Sequence, residues 1–600
     1  MLKFGSAFSE NVSVTQKRWQ LPKSPIRGWG ARVTILHTLL IFFFFLLFVR
    51  LFHLTIVQGN ENRSLSQENR VRTAIIHAPR GIFYDRRGVA LVTNIDAFRV
   101  TGPCKTHEIC RTKLQTQEEW QKSGINPESV FLEKDYFRQY QYPLELSHVL
   151  GYLGEISDTE ARNLLYTYQD YHTGDRLGRM GLEAVFEKKL RGIDGKELIE
   201  INSQNNRVRS LGKIDATGGQ NLYLSLDADL QKAAYEALMG QSGAVVVSKP
   251  KTGEILALVS SPSFDPNVFH AGISQADYES LVKNSERPLF DRAVSGVYPP
   301  GSTFKLIAAI AGLESGTIDK NTQIDDTGIL RIGDFSFANW YFTQYGKTEG
   351  QVDILKAIAR SNDIYFYNVG ERVGIPKIAE WGRKFGIGQK TGVELTGEAE
   401  GLMPDIDYQR KVHKTDWFLG DTYHIAIGQG DLQTTPLQVN RWTNAIASGG
   451  TLCDFTLLKQ TLTNSQPRCK NLGIKKENLD LVVEGMRRAC SKGDDTTYQG
   501  TGYPLFDFSV THEVLTGSSG SGEVRKIPVA CKTGTSEFGD PEGKTHALFT
   551  AFAPVPIKSS PDTMSGDPEI VVTVLVEKGG EGSTVAGPIA KKIFEEWFKR

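Results

Sequence analysis

Val33 to Val57 reads VTILHTLLIFFFFLLFVRLFHLTIV, and Leu39–Val49 within it is an unbroken apolar run. No other feature limits the possible folds as much. A stretch that is apolar all round suits lipid better than one face of a protein core. As a helix, 25 residues span about 37 Å, enough for a bilayer core of about 30 Å. Arg50, near the far end, can carry its guanidinium to the headgroups along its aliphatic stem. A cleaved signal peptide is the competing reading. Against it, the stretch is long, and Gln58-Gly59-Asn60-Glu61-Asn62 offers no small-residue cleavage site. Lys3, Lys17, Arg18, Lys23, Arg27 and Arg32 precede the run with one acid, Glu10. This positive excess is expected to stay inside. Residues 1–32 are then a cytoplasmic tail and 33–57 a single transmembrane helix in the plasma (inner) membrane, with the rest extracytoplasmic or periplasmic. No second run of this kind occurs in the sequence, which argues against a channel or transporter.

Lys+Arg and Asp+Glu both number 69, so nothing points to nucleic acid. Six Cys in 600 residues are too sparse for a disulfide scaffold. Cys104 and Cys110 are near neighbours, and Cys453, Cys469 and Cys490 share a later region. None forms a CxxC, and no His stands at finger spacing, so a zinc site is not expected. Disulfides are possible, with their pairing open.

The body divides in two. Residues 58–220 contain HAPRGIFYDRRGVALVTN (His77–Asn94) and GRMGLEAVFEKKLRGIDGKE (Gly178–Glu197). They read as packing and turn residues, with no catalytic cluster. ATGGQN (Ala216–Asn221) is a turn-rich joint, which makes 58–220 a pedestal and 221–600 a second domain. There Asp227 can N-cap a helix through Leu238. GAVVVS (Gly243–Ser248) and EILALVS (Glu254–Ser260) read as a hairpin around KPKTG. A long, mainly helical stretch follows from about 270 to 500. PVAC (Pro528–Cys531), HALFTAFA (His546–Ala553) and EIVVTVLVE (Glu569–Glu577) return to strands, and a helix closes the chain near Val585–Phe598. The expected fold is α+β: a mostly antiparallel five-stranded sheet flanked by helices, with a large helical insert between the second and third strands.

HExxH, GxSxG and P-loop patterns are absent. Within 221–600, Ser-x-x-Lys occurs at Ser248–Lys251, Ser280–Lys283 and Ser302–Lys305, a pattern of which composition alone predicts about two or three copies in the whole chain. Physics separates them. A serine becomes a nucleophile only with a base and with donors for the oxyanion. Ser248 ends a strand, where Lys251 points to the opposite face. Ser280 sits inside a helix, whose N–H groups are already bonded. Ser302 follows the break Pro299-Pro300-Gly301 and opens a helix that Gly316 stops. Free N–H groups and the positive dipole end lie beside it, with Lys305 one turn on along the same face. Lys-Thr-Gly also occurs three times, and only Lys532-Thr533-Gly534 continues a strand, IPVACKTGTSE. Gly534 there would let a substrate backbone approach the edge, and Lys532 offers a cation for a carboxylate. Ser361-Asn362-Asp363 lies between them, in a position usual for a helix cap.

Together, STFK (Ser302–Lys305), Ser361-x-Asp363 and KTGT (Lys532–Thr535) resemble the penicillin-recognising acyl-serine transferases. YPPGSTFKL (Tyr298–Leu306), RGIFYDRRG, GRMGLEAVFEKKLRG and IGQGDLQTTPLQ (Ile427–Gln438) narrow the resemblance to a class B penicillin-binding protein, elongation-type more than division-type. The resemblance implies a D,D-transpeptidase that cross-links peptidoglycan stem peptides from a lipid-linked precursor and is acylated by β-lactams. It implies no metal or organic cofactor. It also implies a SEDS-family membrane glycosyltransferase as partner, reached through the span and the pedestal. Carried over, Ser302 is the nucleophile, Lys305 its base, and Ser361 a proton relay. Lys532, Thr533 and Thr535 hold the terminal carboxylate, with Gly534 among the substrate-binding residues. The N–H groups of Ser302 and Thr535 form the oxyanion hole. Asp363 stands where the family most often has Asn. Because Lys305 must be neutral to act as a base, Asp363 is expected to pair with Lys532 or a substrate amide and not closely with Lys305, or else to be protonated itself. A division-type enzyme, a serine β-lactamase and a non-enzymatic sensor or scaffold remain open.

Overall fold

A computed structural model describes residues 29–62, 70–101, 113–122, 131–157, 159–160, 163, 171, 175–202, 207–269, 272–460, 468–493, 498–512, 523–556 and 566–600. They fall into two units, residues up to 73 with 198–212, and residues 74–197 with 213–600.

In the first unit, α1 (Trp29–Phe52) and a π-helical turn, His53–Val57, carry the apolar run. Phe42, Phe43, Phe44 and Phe45 are all exposed. Arg32–Val57 is long and apolar enough to cross a membrane. Most of a three-stranded sheet, Val71–Ile76, Gly195–Ile201 and Arg207–Ile214, also lies here.

The second unit opens with a three-stranded sheet, Lys113–Thr116, Val92–Thr101 and Phe131–Tyr140. Beside it lies a buried ion cluster. Arg80 reaches Glu183 at 2.7 Å and Glu187 at 2.7 Å, and Arg138 reaches Glu183 at 2.7 Å. The RGIFYDRRG and GLEAVFEKKLRG stretches pack the pedestal through both apolar contact and paired charges: Phe83, Leu182 and Leu190 join one buried cluster beside the ion pairs. Asp85 of the same stretch caps its own turn at Arg87 and Val89 and accepts from the N–H of Ala228. That tethers the pedestal to α2 (Ala228–Ala237), which Asp227 N-caps.

The remainder is built on β1 (Gly243–Ser248), β2 (Ile255–Ser261), β3 (Ala530–Glu537), β4 (Thr545–Ala553) and β5 (Ile570–Val576), in the order β2-β1-β5-β4-β3, every neighbour antiparallel. Both faces are covered, so the strands read as near-continuous apolar runs rather than alternating ones. Val245 and Val247 pack with α2 and with α8 (Gly587–Phe598), while Leu548, Phe552 and Leu575 pack against the helical side. That side holds α3 (Lys305–Ser315), α4 (Ile354–Arg360), α5 (Asp363–Val373), α6 (Pro436–Ala447) and α7 (Lys476–Ala489). Two short hairpin-like pairs interrupt it, Ile324–Asp326 with Gly350–Val352 and Ile329–Ile332 with Phe335–Ala338. α3 starts at Lys305 and not at Ser302, because Gly301–Thr303 forms a separate 3₁₀ turn. It does stop at Gly316, at φ 69°. Cys490 is bonded to Cys531, and Cys453 to Cys469 across a short strand pair. Cys104 and Cys110 lie outside the described residues.

Candidate active site

β3 is an edge strand, and the Gly301–Thr303 turn packs directly on it. A Cβ at Gly428 would lie 2.0 Å from the carbonyl oxygen of Gly301. Only glycine there lets the IGQG loop meet the turn, and the N–H of Gly301 donates to the Gly428 carbonyl at 2.9 Å. Tyr298 and Thr434 bridge the same two segments. Thr435 then N-caps α6 with Gln438 as its capping-box partner. The string IGQGDLQTTPLQ is thus a clamp on the serine turn. Ser361 joins α4 to α5 in the left-handed region, at φ 55°, and Asn362 caps α5 at Tyr365 N. The other Ser-x-x-Lys pairs lie elsewhere. Ser248 is buried against Asn440 and Asn444, while Ser280 and Lys283 sit on an exposed helix.

Ser302, Ser361, Asp363, Thr533 and Thr535 line one cleft of about 630 Å³. Beneath it lie two lysines with no exposed surface, Lys305 and Lys532. Lys305 Nζ donates to Asp363 Oδ1 at 2.6 Å, to the Ser361 carbonyl at 2.8 Å and to Ser361 Oγ at 3.3 Å. Lys532 Nζ bonds Ser361 Oγ at 2.9 Å and donates to the Thr533 carbonyl at 2.9 Å. Ser361 Oγ therefore stands between two buried amines. Burial lowers the pKa of Lys305, and the Asp363 carboxylate opposes that. Burial and then the charge of Lys305 hold Lys532 well below the usual lysine range. The Asp363 carboxylate bonds Lys305 and not Lys532, so it favours the protonated form of Lys305 the more strongly.

The expectation for Asp363 is overturned. It pairs with Lys305 directly, and its other oxygen accepts from the N–H of Trp340 at 2.9 Å. A lysine that loses its proton during a reaction can rest charged, so a resting ion pair is compatible with a later role as base. Asn339 Oδ1 accepts from the N–H of Asp363, and Asp326 Oδ2 accepts from both Asn339 and Asn362. This buried tier fixes Ser361 and Asp363 from behind.

Residues 243–595 match the penicillin binding protein transpeptidase domain, and residues 112–224 match the penicillin-binding protein dimerisation domain. The peptidoglycan D,D-transpeptidase MrdA of Acinetobacter baumannii is 34% identical over 91% of this chain and 84% of its own length. The chain belongs to the class B penicillin-binding proteins. The solved complex of Helicobacter pylori PBP2 with MreC is 28% identical, covers 88% of this chain and 98% of that one, and superposes with a TM-score of 0.72. A peptidoglycan synthase complex, solved for its coordination of polymerization and crosslinking, is 28% identical over 94% of this chain and 97% of that one, with a TM-score of 0.70.

Three further residues of this penicillin-binding protein were not anticipated. Thr501 Oγ1 lies 2.9 Å from Thr533 Oγ1, extending the hydroxyl wall beside Lys532. Trp340 lines the cleft and donates its indole N–H to the Arg360 carbonyl. Gln429 Nε2 donates to the Thr535 carbonyl at 3.4 Å. That carbonyl points away from β4, and in an extended strand a residue's N–H points the same way as its C=O, so Thr535 N–H faces the cleft side. Gln429 lay within a quoted motif, while Thr501 and Trp340 had no local signal. A Cβ at Gly534 would meet Leu548 at 3.1 Å, Thr303 at 3.2 Å and the Pro300 carbonyl at 3.3 Å, so its lack of a side chain also lets the serine turn sit on β3.

Proposed function

We propose that this chain is a D,D-transpeptidase that cross-links peptidoglycan through an acyl-serine, working in cell elongation as its MrdA-named relatives suggest. The observation that carries the reading is Ser361 Oγ held between Lys305 and Lys532 beneath a cleft lined by Ser302. A stem pentapeptide enters with its terminal carboxylate at Lys532, Thr533 and Thr501. An anion there favours the charged form of Lys532. Lys305 passes a proton to Ser361 Oγ, which passes its own to Lys532, and Lys305 becomes neutral. Lys305 then takes the proton of Ser302 as its Oγ attacks the penultimate D-Ala carbonyl. The oxyanion is met by the N–H groups of Ser302 and Thr535. On collapse the proton returns through Ser361 to the leaving D-Ala amine. An amine of a neighbouring stem attacks the ester, loses a proton by the same route, and frees Ser302. A β-lactam takes the donor's place and leaves a stable ester on Ser302.

In the same reading, residues 1–32 are cytoplasmic, 33–57 cross the membrane, 58–220 form the pedestal and 221–600 the catalytic domain outside. The partners are a SEDS-family polymerase, supported by the solved synthase complex, and a scaffold of the MreC kind. The test is intact-protein mass with penicillin over time, peptide mapping of the adduct, and D-Ala release from a pentapeptide. The expected result is one adduct on Ser302, stable for many minutes. An adduct on Ser248 or Ser280, or rapid turnover of the β-lactam, overturns the reading.

A further inference from the structure

β3 presents three side chains to the cleft at alternate positions, Thr533, Thr535 and Glu537. Residues two apart on a strand are separated by about 7 Å, so Glu537 stands about 7 Å past Thr535 and about 14 Å past Thr533. On the transpeptidase reading, the donor's terminal carboxylate lies at the Thr533 end, and its scissile carbonyl, one residue upstream, lies at Ser302 and Thr535. The donor then runs antiparallel to β3, and its upstream residues head toward Glu537. Beyond Glu537 the cleft continues into a second cavity of about 440 Å³, bordered by Val297, His424, Gln429, Phe538 and His546.

Glu537 is exposed, and among the described residues its carboxylate has no ion pair or hydrogen bond. Neighbouring acids differ. Glu577 is held by Arg292 at 3.0 Å and Tyr298 at 2.7 Å, and Glu581 by Gln344 at 2.8 Å. A free carboxylate on the upstream wall calls for a cation from the substrate.

The reaction itself supplies one. Cross-linking joins two copies of one kind of stem, one giving its acyl group and the other its amine. A donor that has not yet served as acceptor still carries that amine, necessarily upstream of its D-Ala-D-Ala end. We propose that Glu537 receives this ammonium, so that the enzyme selects donor stems whose own amine is still free. A stem already used as acceptor presents a neutral amide there and is the poorer donor. This inference rests on the transpeptidase reading.

The test measures D-Ala release by the full chain in detergent from two synthetic pentapeptides, one with its side-chain amine free and one with it acetylated. An exposed ion pair supports about a fivefold advantage in kcat/KM for the free amine. The advantage should shrink in high salt, vanish in Glu537→Gln and partly survive in Glu537→Asp. Equal rates in the wild type, or a preference that persists in Glu537→Gln, overturn the proposal. If neither peptide releases D-Ala and penicillin leaves Ser302 unlabelled, the transpeptidase reading falls and takes this inference with it.

Discussion

The pedestal and the cleft both bury charge, and they balance it differently. In the pedestal two arginines face two glutamates, each charge answered at 2.7 Å. In the cleft Lys305 and Lys532 share one carboxylate, Asp363, through Ser361. A matched cluster keeps every proton and contributes rigidity. A mismatched one has a proton that the protein cannot hold comfortably, and that proton is available for chemistry. Charge count, more than burial, separates a structural cluster from a reactive one here.

The largest effect should come from Lys305. Lys305→Gln should slow acylation of Ser302 by penicillin by about 10⁴-fold, or about 5 kcal/mol of barrier, with the unfolding midpoint little changed. A variant within tenfold of wild type would remove Lys305 as the base. Glu183→Gln should do the reverse, destabilising the fold by about 4 kcal/mol while the folded enzyme acylates normally. Burial pushes the Glu183 carboxyl up, but Arg138 and Arg80 outweigh it and hold its pKa below the usual value. Its contribution is therefore present above the unfolded value of about 4.3 and is lost as pH falls through the folded one. Denaturant titrations below pH 5 should show this decline in wild type and a flatter curve in Glu183→Gln. An acylation defect equal to that of Lys305→Gln would erase the distinction between the two clusters.

The Cys490–Cys531 bond closes a 41-residue separation. Replacing both cysteines with alanine should cost about 3 kcal/mol, read as a shift in the denaturant midpoint. The smallest effect is expected at Asp363. Removing its charge lowers the pKa of Lys305, since an opposite charge favours the protonated amine. Asp363→Asn should keep acylation within about tenfold, and the rise of rate with pH should begin at a lower pH. Superimposable profiles from pH 5 to 9 would show that the carboxylate is not felt at the base.

The residues of the proposed chemistry were the legible ones. Ser302, Lys305, Ser361 and Lys532 have identities forced by their chemistry, and each sits at a local break, a turn, a cap or a strand, that sequence patterns reveal. Central strands were legible for a similar reason, because burial on both faces leaves runs such as GAVVVS. What stayed hidden is held by distant parts of the chain. Asp326 and Asn339 read as loop polars until the fold sets them against Asn362 and Asp363. Glu183 and Glu187 belong to two short helices and meet the buried arginines only in the fold.

The serine turn rests on backbone. Gly428 and Gly534 meet it with no side chain between, and any Cβ at Gly428 would strike the Gly301 carbonyl. A floor made this way cannot be adjusted in small steps, since at Gly428 the least possible substitution is already a collision. Inherited variation that tunes what the cleft accepts must therefore accumulate on its walls, at exposed positions such as Thr343, Gln344 and Glu537.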